Sequence, residues 1–246
     1  MREVSLLIPC LVDLLLPEIG VHTLRLLRRL GVRPVYHREQ TCCGQPAINA
    51  GYRKQARKAA RHLIEVFEGD REIVSISGSC ISTVKHRYPE LFEDDPSWRA
   101  RAEELASRLF ELTEYIVEVL GTEDVGAAFE GKVAYHESCH LLRALGISEQ
   151  PKKLIRSARG TELVELKQAD LCCGFGGEFA NSFPRISEAM VKEKQDRYLE
   201  SGADLLVLSE PGCLLNIGGY LSRHHPEKRA VHIASFLAGA GTEGAN

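Results

Sequence analysis

Short apolar runs alternate with longer amphipathic segments along the chain, and this alternation predicts its secondary structure. The run Val4–Ile8 is continuously apolar, which is typical of a strand in a parallel sheet that is covered on both faces. After it, Leu24, Leu27 and Leu30 fall on one face of a helix that ends at Gly31. The pattern therefore indicates a strand followed by a helix.

The same alternation continues and predicts further elements. The strands predicted after the first are Val32–His37, Ile73–Ile76, Val133–Tyr135, Glu162–Leu166 and Asp204–Leu208, with an extra strand at Ala230–Ile233. The predicted helices include Tyr52–Phe67, a long stretch from Pro96 to Val119, Pro151–Ser157 and Pro184–Leu199. Prolines at the first helical position and glycines past the end mark several of these helices.

The order of strands and helices occurs twice, and this repeat predicts the fold class. The expected fold is α/β, with two pseudo-symmetric Rossmann-like halves that each form a mainly parallel sheet flanked by helices. The stretch Gly121–Gly131, with three glycines and mixed polarity, separates the two halves. We therefore divide the chain into two domains, residues 1–125 and 126–246.

All eight cysteines fall into two matching sets of four. Residues 41–44 and 171–174 each contain two adjacent cysteines followed by a glycine, with one further cysteine before and one after at similar distances. The N-terminal quartet is Cys10, Cys42, Cys43 and Cys80, and the C-terminal quartet is Cys139, Cys172, Cys173 and Cys213. Every cysteine lies just past the carboxyl end of a predicted strand, where the loops of an open parallel sheet bind ligands. We expect each quartet to converge at one sheet edge.

Composition and charge exclude several classes of protein. Hydrophobic residues make up 44% and charged residues 26% of the chain, as in ordinary globular proteins. The net charge of −3 gives no reason to expect nucleic acid or an anionic membrane as a partner. The apolar run Val4–Leu16 is interrupted by Pro9 and Asp13 and is too short to span a bilayer, so neither export nor direct membrane insertion is expected. We expect a cytoplasmic protein, in which cysteines more often bind metal or do redox chemistry than form disulfides.

Four converging thiols have a small set of uses. Adjacent cysteines are poor disulfide partners for each other. Structural zinc usually takes its ligands in closely spaced pairs such as C-x₂-C, and no such pair occurs in this sequence. Iron–sulfur clusters are held by four thiolates, which separate loops can supply. The pattern therefore favours an iron–sulfur cluster and leaves zinc or thiol redox chemistry as alternatives.

Four glycines beside the cysteines are candidate cofactor-binding residues: Gly44, Gly174, Gly176 and Gly177. They let the backbone pass close to a cluster and donate N–H groups to its sulfides. A dinucleotide loop is disfavoured at the second Cys-Cys pair, because Phe179 stands where the third glycine of G-x-G-x-x-G belongs.

Two histidines, His136 and His140, flank Cys139. Either one is an additional metal ligand or a proton donor, or both are hydrogen-bonding loop residues. No Ser-His-Asp order, paired-carboxylate motif or phosphate loop stands out in the sequence. No catalytic residue is therefore predicted.

Three strings around the cysteines resemble the cysteine-rich CCG domain family of iron–sulfur oxidoreductases. They are CCGQPAINAG at 42–51, CCGFGG at 172–177 and CLLNI at 213–217. The resemblance covers nearly the whole chain and makes each half a cysteine-rich CCG domain. The strings look like those of the small iron–sulfur subunits of bacterial L-lactate oxidation systems. This resemblance implies electron transfer during oxidation of L-lactate to pyruvate. It also implies that the other protein subunits of the system are partners, and that this chain is an oxidoreductase subunit rather than a stand-alone catalyst.

Two departures from the family pattern refine this expectation. The family motif often closes with C-x₂-C, but Ser77 and Glu210 stand three residues before Cys80 and Cys213. Each half then offers four thiolates instead of five, which favours one ordinary [4Fe–4S] cluster per half. The ferredoxin-like segment of larger relatives has no counterpart in this sequence, so other cluster carriers would lie on separate polypeptides.

Two alternative functions stay open at this point. One is a self-contained disulfide or quinone reductase of the same family. The other is a scaffold subunit that binds zinc in each half in place of a cluster.

Overall fold

The computed structural model describes residues 2–240, which form two four-stranded sheets flanked by helices. The strands are β1 (Arg2–Leu7), β2 (Val32–Tyr36), β3 (Ile73–Ser75), β4 (Leu109–Glu111), β5 (Ala128–His136), β6 (Arg159–Val164), β7 (Leu205–Leu208) and β8 (Arg229–His232). The helices are α1 (Cys10–Leu15), α2 (Pro17–Arg29), α3 (Gln45–Asn49), α4 (Arg53–Val66), α5 (Gly78–Ser82), α6 (Tyr88–Leu91), α7 (Pro96–Ser107), α8 (Leu112–Glu114), α9 (Glu149–Arg156), α10 (Glu178–Ser182), α11 (Pro184–Glu200), α12 (Pro211–His224) and α13 (Ile233–Ala238). Three π-helical turns join them at Thr83–Arg87, Tyr115–Val119 and His140–Ala144.

Both sheets have the same strand order. The first is β2-β1-β3-β4 and the second is β6-β5-β7-β8, and every neighbouring pair is parallel. The central strands β3 and β7 are buried along their whole length. They are apolar on both faces, apart from Ser75, because helices cover both sides of each sheet. The predicted α/β fold with two pseudo-symmetric Rossmann-like halves is confirmed.

Each half contains a fourth strand, and the sequence pattern predicted only one of the two. The extra strand predicted at Ala230–Ile233 is β8. The long helix predicted from Pro96 to Val119 is wrong, because α7 ends at Ser107 and strand β4 follows. Strand β4 pairs with β3, where Leu109 lies opposite Ile73. A strand of three residues is too short to show alternation in the sequence, so sheet pairing decides its conformation.

Local sequence sets the starts of several helices. Pro17, Pro184 and Pro211 begin α2, α11 and α12, where the missing N–H of proline has no partner to lose. Asp95 caps α7 by accepting a hydrogen bond from the Trp98 N–H at 3.3 Å. Helix α11 has 17 residues, and among the described helices none is both long and apolar enough to cross a membrane.

One hydrophobic core joins the two halves. It contains buried residues of β1 and β3 from the first sheet and of β5 and β7 from the second. Helix α13 packs against α2, and the Arg29 guanidinium donates a hydrogen bond to the Leu237 carbonyl. Val125 and Ala127, on either side of the predicted domain boundary, both lie in this core. The division at residue 125 stays a prediction, and Met1 and residues 241–246 of the two predicted domains lie outside the described residues.

Candidate metal centre

Strand ends position the cysteines of both quartets. Cys10, Cys80 and Cys213 lie in the first turns of α1, α5 and α12, directly after β1, β3 and β7. The adjacent pairs lie in the loops after β2 and β6, and Cys139 follows β5. Because parallel strands place their carboxyl ends at one sheet edge, these loops meet. All eight cysteines are free thiols.

The N-terminal quartet is a chain of contacting sulfur atoms. The Sγ atoms of Cys43 and Cys80 are 3.4 Å apart. Hydrogen bonds from the thiols of Cys10 and Cys43 hold the pKa of Cys42 well below its usual range. The same bonds raise the pKa of Cys10 and of Cys43. Cys42 is therefore the member of this quartet whose thiol loses its proton most readily.

The C-terminal quartet repeats this arrangement. The Sγ atoms of Cys173 and Cys213 are 3.0 Å apart. Hydrogen bonds from Cys139 and Cys173 lower the pKa of Cys172 far below its usual range, and they raise the pKa of both donors. Cys172 thus corresponds to Cys42 as the member of its quartet whose thiol loses its proton most readily.

The predicted cofactor-binding glycines take two kinds of position. Gly44 and Gly174 have positive φ angles of 83° and 80°, which glycine adopts without strain. Their N–H groups donate to the Sγ atoms of Cys42 and Cys172, each at 3.4 Å. A Cβ at Gly174 would lie 2.7 Å from a backbone carbonyl oxygen of α11, so a larger residue would push that helix away. Gly176 and Gly177 instead line a cavity in front of the cysteines.

This cavity lies between the two halves, and all eight cysteines line it. Its volume is about 180 Å³. Across residues 2–240, every sulfur–sulfur contact joins two members of the same quartet. The structure therefore presents two separate sets of four sulfur atoms that face one shared space.

The two residues that stand in place of a fifth cysteine bond to each other across the halves. The carboxylate of Glu210 accepts hydrogen bonds from the Ser77 hydroxyl at 3.0 Å, the Ser79 hydroxyl at 3.0 Å and the Ser79 N–H at 2.9 Å. Burial raises the pKa of this carboxyl. Ser77 and Glu210 thus connect the halves beside the cavity, and each quartet keeps four thiols.

The two candidate histidines differ in their surroundings. His140 lines the cavity, with its Nδ1 3.8 Å from the Sγ of Cys139. His136 is only 1% exposed, and neither of its ring nitrogens has a hydrogen-bond partner among the described residues. One ring nitrogen and the Sγ atoms of Cys173 and Cys213 all lie within 4.8 Å of one another. His136 is the last residue of β5 and not a loop residue, and its role as an additional metal ligand stays a prediction.

Sequence reasoning missed one buried charge near the C-terminal quartet. Lys194 of α11 has no exposed surface, although charged residues are frequent along this helix. Its Nζ donates to the carbonyls of Gln168 and Ala169 at 3.1 and 2.7 Å. No motif in the sequence marks this lysine, because lysine is almost always exposed.

The arrangement is suited to binding a soft metal centre. Thiolates select copper(I), zinc and iron–sulfur clusters over hard cations. The clustered cysteines, with His136 beside Cys173 and Cys213, can therefore bind a metal ion or cluster.

Comparison with solved structures supports the fold. A crystal structure of a hypothetical protein from Helicobacter pylori matches this chain with a TM-score of 0.67 at 11% sequence identity. The match covers 100% of this chain and 50% of that chain, so this chain spans half the length of the Helicobacter protein. At this identity the likeness concerns the fold alone.

Comparison of sequences identifies the family. The model of the cysteine-rich domain CCG matches residues 4–85 and 133–218, one match in each half. Lactate utilization protein A of Exiguobacterium sp. is 47% identical over 239 residues, covering 96% of this chain and 97% of that protein. The proteins of the same name from Bacillus subtilis and Oceanobacillus iheyensis are 45% and 43% identical over 235 residues, covering 96% of this chain and 98% and 96% of theirs. The chain therefore belongs to the lactate utilization protein A family of cysteine-rich CCG domain proteins.

Proposed function

We propose that this chain is the iron–sulfur electron-transfer subunit of a protein complex that oxidises L-lactate to pyruvate. Its relatives carry lactate utilization in their names and match it along nearly their whole length. The observation that carries the electron-transfer part is the convergence of eight cysteines in two quartets on one cavity. Four thiolates are the usual protein ligands of a [4Fe–4S] cluster, and each quartet supplies one set.

The donor chemistry supports clusters over zinc. Structural zinc sites are closed tetrahedra with closely spaced ligand pairs, whereas each quartet takes its sulfur atoms from three separate loops. The quartets also border about 180 Å³ of space, which a single ion does not need and a cluster with inorganic sulfide does. That volume is below the ~300–1,000 Å³ typical of sites for organic ligands. It therefore gives no support to a quinone site at this place.

This chain's own residues prepare the two sites. The thiols beside Cys42 and Cys172 lower the pKa of these two cysteines, which favours the thiolate, the form that binds metal. Cys43, Cys80, Cys173 and Cys213 are buried, which keeps water away from the sulfur atoms. The N–H groups of Gly44 and Gly174 are aimed at sulfur and would favour a reduced, more negative centre. When bound, a cluster supplies one-electron transfer.

The proposal includes partners and a location. Electrons would enter and leave through the other protein subunits of the lactate oxidation system, with no direct contact with nucleic acid and no insertion into a membrane. The net charge of −3 supports the first of these exclusions. A cytoplasmic location suits eight cysteines that are all free.

Metal analysis of the protein purified without oxygen tests the proposal. We expect about eight iron and about eight acid-labile sulfide per chain, as for two four-iron clusters, with visible absorbance and EPR signals on reduction. Stoichiometric zinc without sulfide would contradict the proposal and support a zinc scaffold. Reduction of the clusters by lactate only when the partner proteins are added would connect them to lactate oxidation.

A further inference from the structure

The two quartets are backed by helices that can be compared position by position. A Cβ at Gly44 would contact Ala56 and Ala59 of α4, and a Cβ at Gly174 would contact Ser187 and Met190 of α11. These contacts align the two helices. The buried face of α4 and its C-cap consists of Ala56, Ala60, Leu63, Ile64 and Phe67. In the same order, the matching buried residues of α11 are Ser187, Val191, Lys194, Gln195 and Tyr198.

This alignment shows that the buried environments of the two quartets differ in polarity. At the matched positions, Leu63 of the first half corresponds to Lys194 of the second. A second difference lies on the central strands, where Leu7 stands three residues before Cys10 and His136 stands three residues before Cys139. All four side chains are at most 3% exposed. The N-terminal quartet is therefore backed by leucines, and the C-terminal quartet by an imidazole and an ammonium group.

The imidazole of His136 has hydrogen-bonding capacity that the protein does not use. The nearby Ala169 carbonyl already accepts hydrogen bonds from the Glu137 N–H at 3.1 Å and from Lys194 at 2.7 Å. An imidazole ring carries at least one N–H donor, so the buried ring of His136 has a hydrogen bond to give. A buried donor without a partner is unfavourable, and the sulfur atoms of Cys173 and Cys213 are the nearby acceptors.

The ammonium group of Lys194 is a buried charge without a carboxylate partner. Across the described chain, no carboxylate oxygen lies within 4.0 Å of its Nζ. Burial lowers the pKa of Lys194 to about 8, and the nearby Cys213, Asp170, Cys173 and Glu137 oppose this shift. Buried charges are normally compensated by an opposite charge. An anionic metal–thiolate centre at the C-terminal quartet would provide it.

We infer that the two sites are electrochemically unequal, and that the C-terminal cluster has the more positive reduction potential because His136 and Lys194 stabilise its reduced state. The inference rests on the proposed function. Adding an electron makes a cluster more negative, so a nearby positive charge and an N–H donor favour the reduced form. With both sites loaded, His136 and Lys194 would make the C-terminal quartet the site where the first electron delivered by a partner protein resides.

Redox titration of the full chain, followed by EPR, tests this inference. Cys173→Ser and Cys43→Ser, each lacking one ligand of one quartet, assign the two signals. His136→Leu and Lys194→Leu install the residues found at the matched positions of the first half. At a fixed solution potential, we expect each of these two substitutions to raise the oxidised-to-reduced ratio of the C-terminal cluster about tenfold. For a one-electron couple this corresponds to a reduction potential that is more negative by about 59 mV. Lys194→Arg, which keeps the charge, should retain the original potential.

The possible outcomes separate this inference from the proposed function. Two clusters of equal potential, or loss of the higher-potential signal in Cys43→Ser instead of Cys173→Ser, would overturn the inference and leave the proposed function intact. So would unchanged potentials in both leucine variants. A chain without iron and sulfide would contradict both. The wild-type titration with the two cysteine variants decides the order of potentials even if a leucine variant does not fold.

Discussion

At the scale of single residues, Glu111 shows how the fold keeps a carboxyl group away from water. It is fully buried at the end of β4, where it caps α8. One carboxylate oxygen accepts hydrogen bonds from the N–H groups of Thr113 at 2.6 Å and Glu114 at 3.2 Å, and the other has no partner among the described residues. Burial raises the pKa of Glu111 from 4.5 to about 7.

This shift predicts a pH dependence of stability. Between pH 4.5 and pH 7 the folded protein keeps a proton on Glu111 that the unfolded chain has released. The free energy of unfolding therefore falls as the pH rises through this window, by roughly 3 kcal/mol, and this group adds no slope above it. Glu111→Gln should remove that slope, as measured by urea unfolding at several pH values. Glu165→Gln, at an exposed position, is the control. If the free energy of unfolding of wild type and Glu111→Gln depended on pH in the same way, Glu111 would be ionised in the folded protein between pH 4.5 and pH 7.

Some residues of the candidate site could be recognised from sequence patterns, and others could not. The cysteines and their glycines form a repeated string that can be read directly, although their role as metal ligands stays a prediction. Lys194 occupies a core position of α11, in register with Val191 and Tyr198, but lysine is normally assigned to the surface. Its burial depends on how α11 rotates onto the sheet, which only the packed structure determines. His136 was visible as a candidate, but its lack of partners was not.

At the scale of elements, the contact between α5 and the π-helical turn His140–Ala144 sets how closely the halves approach. Gly78, the first residue of α5, faces Leu141 of the other half. A Cβ at Gly78 would overlap the Cδ1 of Leu141 and lie 2.9 Å from its Cγ. The halves can therefore meet at this distance only because residue 78 has no side chain.

Gly78→Ala should destabilise the protein by about 1–3 kcal/mol, because an added methyl group in a closely packed contact forces its neighbours to move. Gly219→Ala in α12 is the matched control, since a Cβ there would meet no atom within 4 Å apart from its chain neighbours and the helix's own backbone. It should leave stability unchanged or raise it by about 0.5–1 kcal/mol, as alanine favours a helix over glycine. Urea unfolding of both variants measures the difference. Equal stability of the two variants would mean that Leu141 moves aside freely.

Elements were predictable where they are long and strongly patterned. The apolar runs that became β1, β3 and β7 could be assigned because both sheet faces are covered. Strand β4 could not be assigned, because its three residues follow α7 almost directly and continue the same mixture of apolar and charged residues. The equivalent β8 was found, since residues 225–228 separate this apolar run from the preceding helix α12.

At the scale of the whole molecule, the halves are joined by a common core, by α13 on α2, and by the hydrogen bonds of Ser77 and Ser79 to Glu210. Together these contacts bring both quartets to one cavity. The sequence repeat predicted two equivalent sheet edges, but nothing in it indicated that the two edges face each other. That arrangement depends on contacts between residues more than 130 positions apart, which leave no local signal.

The chain alone should not oxidise lactate. It has no recognisable flavin or nicotinamide motif in its sequence, so no cofactor would accept the hydride or carbanion formed at the α-carbon. Lactate-dependent reduction of an artificial electron acceptor by the purified chain should stay at background and rise when the partner proteins are added. Robust oxidation by the isolated, cofactor-free chain would show that this chain is an enzyme by itself.

Iron content of two single-cysteine variants tests most directly whether each half holds its own cluster. Cys43→Ser and Cys173→Ser each remove one ligand from one quartet and leave the other quartet whole, and sulfur contacts join cysteines only within a quartet in the described chain. We predict that each variant, purified without oxygen, binds about half the iron and sulfide of the wild type, since each quartet alone suffices for one cluster. The remaining EPR signal should differ between the two variants. Loss of all iron from both variants would contradict this account, because it would mean that one cluster bridges the two halves.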